Sequence, residues 1–351
     1  MTPEPAAIEV QSGARLDQLS TFRLPARANE LVELHHAGQL PAALDTPLPT
    51  LIIGGGSNTL FIDDYPGRVI VNCLHGIRTE SIDDDQVLVT AAGGENWHDL
   101  VLKTVDQDLW GLENLALIPG SVGAAPMQNI GAYGVELSDV LHSVQVFDRN
   151  TEAIDWIAAD QCQLSYRDSR FKNADAGRFV ILAVRMTLSR SPDPRIEYPA
   201  LQHELASRNS SQPTHPRTIA DAVIRIRQRK LPDPDRIPNA GSFFKNPVVS
   251  ADTAIALRQR DPDMPQWPNC DDVKLSAAWM IDQLGWRGKS FGEAAVYSKH
   301  ALVLINAGGA TGQHVLALAS RIRDDVNNRF GLVLQTEPQL ITDSGLRQSR
   351  G

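Results

Sequence analysis

The sequence predicts a multi-domain α+β protein. At 351 residues the chain exceeds the size at which one hydrophobic core keeps growing, so two or three packed domains are expected. Strand-like apolar runs alternate with stretches of helical periodicity over the whole length. Composition and periodicity also shift twice, near residues 80 and 232, which divides the chain into 1–79 joined by 331–351, then 80–231, then 232–330.

In the first segment the apolar run PTLII at 49–53 precedes GGGSN, and a Pro66-Gly67 turn leads into the strand-like RVIVN at 68–72. The second segment has strands at QVLVTAA (86–92) and FVILAVRM (179–186) around a Gly-rich middle. It closes on a helix in which Thr218 and Asp221 have capping-box spacing; Ile219, Ala222, Val223 and Ile226 follow the helical period until Leu231-Pro232 stops it. In the third segment VKLSAAWMIDQLG (273–285) predicts a helix closed by Gly285, and HALVLIN (300–306) a strand. TGQHVLALASRIRDDVNNRF (311–330) predicts a helix with Val315, Ala319, Ile322 and Val326 on one face. The last apolar stretch, GLVLQTEPQLI (331–341), reads as a strand returning to the first segment.

Composition removes several classes of function. A net charge of -9 argues against nucleic acid as the main partner, because binding a phosphate backbone needs a basic face. The opening MTPEPAAIEVQ lacks the basic start and apolar run of a secretory signal, and no segment approaches the roughly 18 apolar residues of a membrane span. A cytoplasmic protein without a membrane partner is therefore expected. Cys73, Cys162 and Cys270 are far apart and lack CxxC or His spacing, so neither a disulfide framework nor a metal site is predicted.

Two glycine-rich stretches carry the ligand chemistry. GGGSN at 54–58 follows an apolar strand, and consecutive glycines let backbone N–H groups converge on a diphosphate. A plain tight turn is the alternative. No GK[ST] follows and no dinucleotide-fold helix begins there, so a phosphate at this loop would not sit on a Rossmann fold. The stretch GLENLALIPGSVGAAPMQNIGAYG at 111–134 is almost uncharged after Glu113 and crowded with small residues, among them Gly120, Gly123, Ala124 and Gly131. Such a surface lets a flat cofactor lie against backbone, with Ser121 and the following amides available for bonding; tight packing of a buried loop explains the same composition.

Taken in order, GGGSN, IPGSVGAAPMQNIGAYG (118–134), SYRDSRFK (165–172), and KLPDP with NAGSFFKNP (230–247) resemble the UDP-N-acetylenolpyruvoylglucosamine reductases, also called UDP-N-acetylmuramate dehydrogenases. The resemblance spans nearly the whole chain. It implies an FAD-binding domain of the vanillyl-alcohol-oxidase (PCMH) type in two subdomains, followed by a C-terminal α+β substrate-binding domain. The implied activity is NADPH-dependent reduction of UDP-N-acetylglucosamine enolpyruvate to UDP-N-acetylmuramate through bound FAD, in cytoplasmic peptidoglycan synthesis. The implied FAD contacts are Gly54, Gly55, Gly56, Ser57, Asn58, Pro119, Gly120, Ser121, Gly123, Ala124 and Gly131.

Carried over residue by residue, the resemblance makes Arg167 the partner of the enolpyruvyl carboxylate, a role suited to the planar guanidinium fork. A surface ion pair with Asp168 is the bland alternative. Ser242 matches the proton donor; a turn or helix-cap serine is its commoner job. Lys230 and Asn246 match substrate contacts, although Lys230 also complements a helix C-terminus. Tyr198, in PRIEYPALQHEL, lies in an insert resembling that of the class I members, where a tyrosine closes over the UDP group. Trp267 and His300 stand where members of the family carry other residues.

For the catalytic carboxylate, an ungapped count from Phe330 to Ile341 selects Glu337, whereas aligning the Glu-Pro pair selects Gln339. If this stretch is a strand, both side chains share a face and alternation does not decide. Chemistry favours Glu337, because an amide does not titrate. Two other classes of function stay open at this stage: a different FAD-dependent oxidase of the same fold, and a non-catalytic UDP-sugar sensor. The oligomeric state is not legible.

Overall fold

The computed structural model describes residues 7–208 and 215–347, and it has the mixed strand and helix content expected. The first six residues of the opening stretch read for a secretory signal lie outside the described residues. So do 209–214 and the end of the 331–351 segment, 348–351. The chain forms two compact units. The first takes the chain up to Ser12, Glu30–Gly55 and Gly67–Arg229; the second takes Gly13–Asn29, Gly56–Pro66 and the chain from Lys230 onward.

The first unit is built on a five-stranded antiparallel sheet in the order Ile154–Ala158, Leu141–Asp148, Phe179–Ser189, Gln86–Ala92, Ile77–Ser81. Strand Gln86–Ala92 shows why: Val87, Val89 and Ala91 are fully buried and the residues between them are not, the period-two pattern of a strand with one face on a core. Helix Trp97–Val105 starts where the Asn96 side chain accepts from the Asp99 N–H. It lays Trp97, Leu100, Val101 and Val105 into that core. Helix Pro216–Lys230 adds Ile219, Ala222, Val223 and Ile226 to the same cluster. A smaller core forms around Val32, Leu34, Ile70 and Leu182, beside the parallel pairing of Thr50–Ile53 with Arg68–Val71.

In the second unit, helix Gly312–Phe330 begins at a Thr311 capping box and buries Val315, Ala319, Ile322 and Val326, the face expected from the sequence. Around the same core stand strands Asn239–Ser242, Val303–Asn306, Ala294–Val296 and Ser290–Phe291, paired in that order. Strand Gln339–Thr342 pairs in parallel with Thr59–Phe61, so the end of the chain does return to the first segment.

Four local expectations need correction. Pro66 and Gly67 lie within strand Tyr65–Asn72 and not in a turn before it. Thr218 and Asp221 lie inside a helix that already starts at Pro216, where the fixed proline φ and missing N–H suit the first turn; Asp221 instead pairs with Arg217 at 3.0 Å. Val273–Leu275 belongs to strand Asp272–Leu275, because the helix begins only after the Ser276 cap and covers Ala277–Gln283. Finally, the strand expected over 331–341 begins at Gln339. Glu337 is therefore outside it, and the premise that Glu337 and Gln339 share a strand face falls.

Glu204, 4% exposed on helix Pro199–Ala206, accepts from Arg229 at 2.5 Å, Arg225 at 2.8 Å and Arg208 at 3.2 Å. Arg229 and Arg225 come from helix Pro216–Lys230, so this carboxylate clamps two helices. Those hydrogen bonds hold its pKa down at about 2. Replacing Glu204 with Ala should lower stability at neutral pH by about 2 kcal/mol, the scale of hydrogen bonds to a charged group. Because the folded pKa is depressed from 4.5, the contribution is complete above 4.5 and fades as pH falls toward 2. Urea denaturation of both proteins across that window should show their difference shrinking.

Candidate functional site

Within the first unit the sequence motifs converge on the stretch 111–134. The carbonyl of Gly120 accepts from the Trp97 N–H, Val122 N–H donates to Glu95, and Gly123 N–H donates to Gly93 at 2.8 Å. These bonds hold the loop flat against the start of helix Trp97–Val105. Gly54 and Gly55 then pass directly over it. A Cβ on Gly55 would sit 3.4 Å from Gly120 Cα, and one on Gly54 would overlap the Ser121 hydroxyl. On the other side a Cβ on Gly123 would come within 2.9 Å of the Gly93 carbonyl oxygen. Pro119 and Ala124 are exposed beside these contacts, and Gly131 is half-buried farther along. The hydroxyl of Ser121 is buried and has no hydrogen-bond partner among the described residues. A buried hydroxyl without a partner is costly, so this one suits a ligand that supplies an acceptor or donor.

Arg167 joins the same stretch. It adopts a left-handed backbone (φ 55°), donates to the Gly131 carbonyl at 2.9 Å and to the Asn129 carbonyl at 3.5 Å, and lies 5.5 Å from the Tyr166 ring centre. Asp168, its alternative partner from the sequence, accepts from Asn173 at 2.7 Å. Fully buried Asn129 locks the two motifs together, donating to Glu136 at 2.7 Å and to the Ser165 carbonyl at 3.2 Å. Tyr198, 40% exposed, packs edge-on to Tyr133 with ring centres 5.3 Å apart.

Arg227 also reaches this place, and the sequence reading missed it. Its Nε donates to the Leu117 carbonyl at 3.1 Å and its guanidinium bonds to Tyr133. Burial, reinforced by Arg167, pushes its pKa down. The available signal was its spacing, four residues after the buried Val223 on one helix. Gly93 was missed too, although a glycine pair directly after a strand hints at close backbone approach.

In the second unit a different group assembles. Phe243 N–H donates to Leu302, Glu337 N–H donates to Phe243 at 2.9 Å, and Lys245 N–H donates to Gln335 at 2.9 Å. This pairing sets Ser242, at the end of strand Asn239–Ser242, one residue from the partner of Glu337. Both are half-buried. Asn58 joins them: its side chain donates to the Glu337 carbonyl at 3.2 Å, and its own carbonyl accepts from Gln339 N–H at 2.9 Å. Gly56 lies against the Leu19 carbonyl, and the Ser57 carbonyl accepts from the Thr21 hydroxyl at 3.4 Å. Asn246 has its side-chain oxygen committed to the N–H of Ala277 at the start of a helix, at 3.0 Å. Lys230 is exposed and close enough to His300 to help burial lower the imidazole pKa. Trp267 is 39% exposed on strand Gln266–Asn269.

Residues 31–156 match the FAD binding domain family, and residues 233–341 match the C-terminal domain family of UDP-N-acetylenolpyruvoylglucosamine reductase. A UDP-N-acetylenolpyruvoylglucosamine reductase of Chromobacterium violaceum is 46% identical over 95% of this chain and 99% of its own. One of Burkholderia ambifaria is 44% identical over 96% and 99%. The crystal structure of UDP-N-acetylenolpyruvylglucosamine reductase from Thermus caldophilus aligns with a TM-score of 0.65 at 25% identity, covering 95% of this chain and 98% of that one. With the FAD-binding match, this alignment bears out the fold class expected from the sequence. Among the described residues no helix is long and apolar enough to cross a membrane.

The glycine contacts make a direct test. Gly54→Ala would drive a methyl group into the Ser121 hydroxyl and force the two loops apart. The purified variant should keep its far-UV circular dichroism but lose bound FAD, read from its visible absorbance; a fully flavinylated variant would show that this contact does not shape the cofactor loop.

Proposed function

Because the chain belongs to the UDP-N-acetylenolpyruvoylglucosamine reductase family, we propose that it reduces UDP-N-acetylglucosamine enolpyruvate to UDP-N-acetylmuramate with NADPH, in cytoplasmic peptidoglycan synthesis. The observation that carries this reading is the backbone pairing of 243–245 with 335–337, which puts a hydroxyl and a carboxyl group on adjoining segments. That pair suits a reaction needing one proton delivered to carbon. The three-part division, with 1–79 plus 331–351 and 80–231 handling the cofactor and 232–330 the substrate, belongs to the same proposal.

The residues present fit FAD: a glycine cradle that side chains would fill, and a buried Ser121 hydroxyl without a hydrogen-bond partner among the described residues. Gly54, Gly55, Pro119, Gly120, Ser121, Gly123, Ala124 and Gly131 would hold it, as would Gly56, Ser57 and Asn58. When bound, FAD would supply the redox chemistry, hydride transfer between NADPH and the vinyl group of the substrate. Arg167 binds the enolpyruvyl carboxylate through its planar fork. Hydride addition to the terminal vinyl carbon leaves negative charge on the adjacent carbon, where it delocalises into that carboxylate. Ser242 then gives its hydroxyl proton to this carbon, and Glu337 steadies the enolate-like charge with a held or shared proton. One hydride and one proton convert CH2=C to CH3–CH. Lys230, Tyr198 and Asn246 hold the UDP portion, and Arg227 adds positive charge next to Arg167.

Ser242→Ala should leave flavin reduction by NADPH nearly intact and slow reoxidation by UDP-N-acetylglucosamine enolpyruvate by about 100-fold, the scale of general-acid catalysis. Stopped-flow absorbance separates the two; equal slowing of both would make Ser242 structural. In the same assay Glu337→Gln should cost roughly 100-fold in the substrate half-reaction and Gln339→Ala much less. The reverse ranking would move the catalytic position by two residues.

A further inference from the structure

The insert that carries Tyr198 leaves the sheet at Ser189 and enters helix Pro199–Ala206. Its beginning is fixed: Arg190 N–H donates to the Asp85 carbonyl at 2.8 Å and Ser191 N–H to the Asp85 carboxylate at 2.8 Å. Its far end is fixed by the arginines around Glu204. Between them the strap crosses a cavity of about 330 Å³, into which Asp193 and Arg195 face together with Trp110 and Glu113. A segment spanning a cavity has few packing partners to set its path. The Arg195 side chain turns to Asp193 within the strap, at 3.0 Å.

Ile196 packs the middle of this strap on the core, and one polar side chain ties its backbone down. Asn114 is 1% exposed, and its amide donates one hydrogen to the Arg195 carbonyl at 2.7 Å and the other to the Tyr133 carbonyl at 2.9 Å. Tyr133 is the residue whose ring meets Tyr198 at 5.3 Å, and its backbone is left-handed (φ 51°). The two hydrogens of one amide thus reach the backbone of Tyr133 and that of the strap three residues before Tyr198. The Asn114 oxygen is itself buried and has no hydrogen-bond partner among the described residues, a cost that the two donated bonds offset. Neither serine, with one hydrogen to give, nor an ionised aspartate, with none, repeats this.

We propose that Asn114 is a positioning residue for substrate recognition, holding the strap so that Tyr198 stays against Tyr133, where it meets the UDP group. This rests on the assignment of Tyr198 to that group. The test compares Asn114→Leu, similar in volume but without donors, Asn114→Ser, which keeps one, and Tyr198→Ala, each as the FAD-loaded protein. Calorimetric titration with UDP-N-acetylglucosamine enolpyruvate should show affinity falling roughly tenfold for Asn114→Leu, the scale of a lost buried hydrogen bond. Asn114→Ser should fall less. Flavin reduction by NADPH should be unchanged in both. In the Tyr198→Ala background Asn114→Leu should add little, since the effect runs through that ring. If Tyr198→Ala weakens binding and the Asn114 variants do not, the proposal is overturned while the reading of Tyr198 stands. If Tyr198→Ala binds normally, the reading of Tyr198 fails first. Loss of FAD, slowed NADPH reduction, or failure of both Asn114 variants to fold would make Asn114 a scaffold residue and overturn the proposal as well.

Discussion

In the first unit the chain at Gly54–Gly55 crosses the chain at Gly120–Ser121 so closely that a side-chain carbon on Gly54 would overlap the Ser121 hydroxyl and one on Gly55 would touch the Gly120 backbone. That closeness requires the 119–124 loop to be flat, and its flatness comes from backbone bonds to Gly93, Glu95 and Trp97. Once the loop is fixed, the residues after it are fixed too. Asn129 and Gly131 then present carbonyls to Arg167, and Tyr133 presents a ring to Tyr198 and a hydroxyl to Arg227. Charged and aromatic groups from four separate parts of the sequence are therefore oriented by one backbone. A side chain introduced at the crossing would disturb all of them, because each takes its position from the same loop.

The second unit reaches chemical order by another route. Ser242 and Glu337 are brought close by main-chain bonds between two extended segments, Phe243 to Glu337 and Lys245 to Gln335. Phe243 and Phe244, both about 1% exposed, anchor one segment in the core, and Leu334 anchors the other. Ser242 and Glu337, beside these anchors, remain half-buried. Proton-handling groups in such a setting keep some access to a ligand while the apolar anchors limit their movement.

Two buried glutamates show how local partners decide charge. Glu204 faces three guanidinium groups and is held ionised. Glu113 is just as buried but is offered the Gly111 N–H at 2.7 Å in place of a cation. Desolvation dominates there and pushes its carboxyl pKa up to about 7. Neighbouring in sequence and both buried, Glu113 and Asn114 do different work: the first faces the cavity beneath the strap, and the second spans to it.

Much of this was legible in the sequence, because periodicity and glycine clustering are local signals. The helix at 311–330 with its cap and buried face follows from spacing alone, as does the strand at 86–92. The four motifs were sufficient for the family. Errors gathered where neighbours override local preference: Pro66-Gly67 opens a strand whose next four residues pair with Thr50–Ile53, and Val273–Leu275 takes strand partners before its helix can start. Sequence held at most a hint of Arg227 and Gly93 and none of Asn114, and the tertiary structure gave all three their roles, since these lie in carbonyl groups and backbones distant in sequence. The sequence by itself determined which residue types and turns were available and in what order. Which carbonyl meets which amide was decided by the packing of the folded chain, because a hydrogen bond depends on position and direction, and spacing along the chain specifies neither across tens of residues.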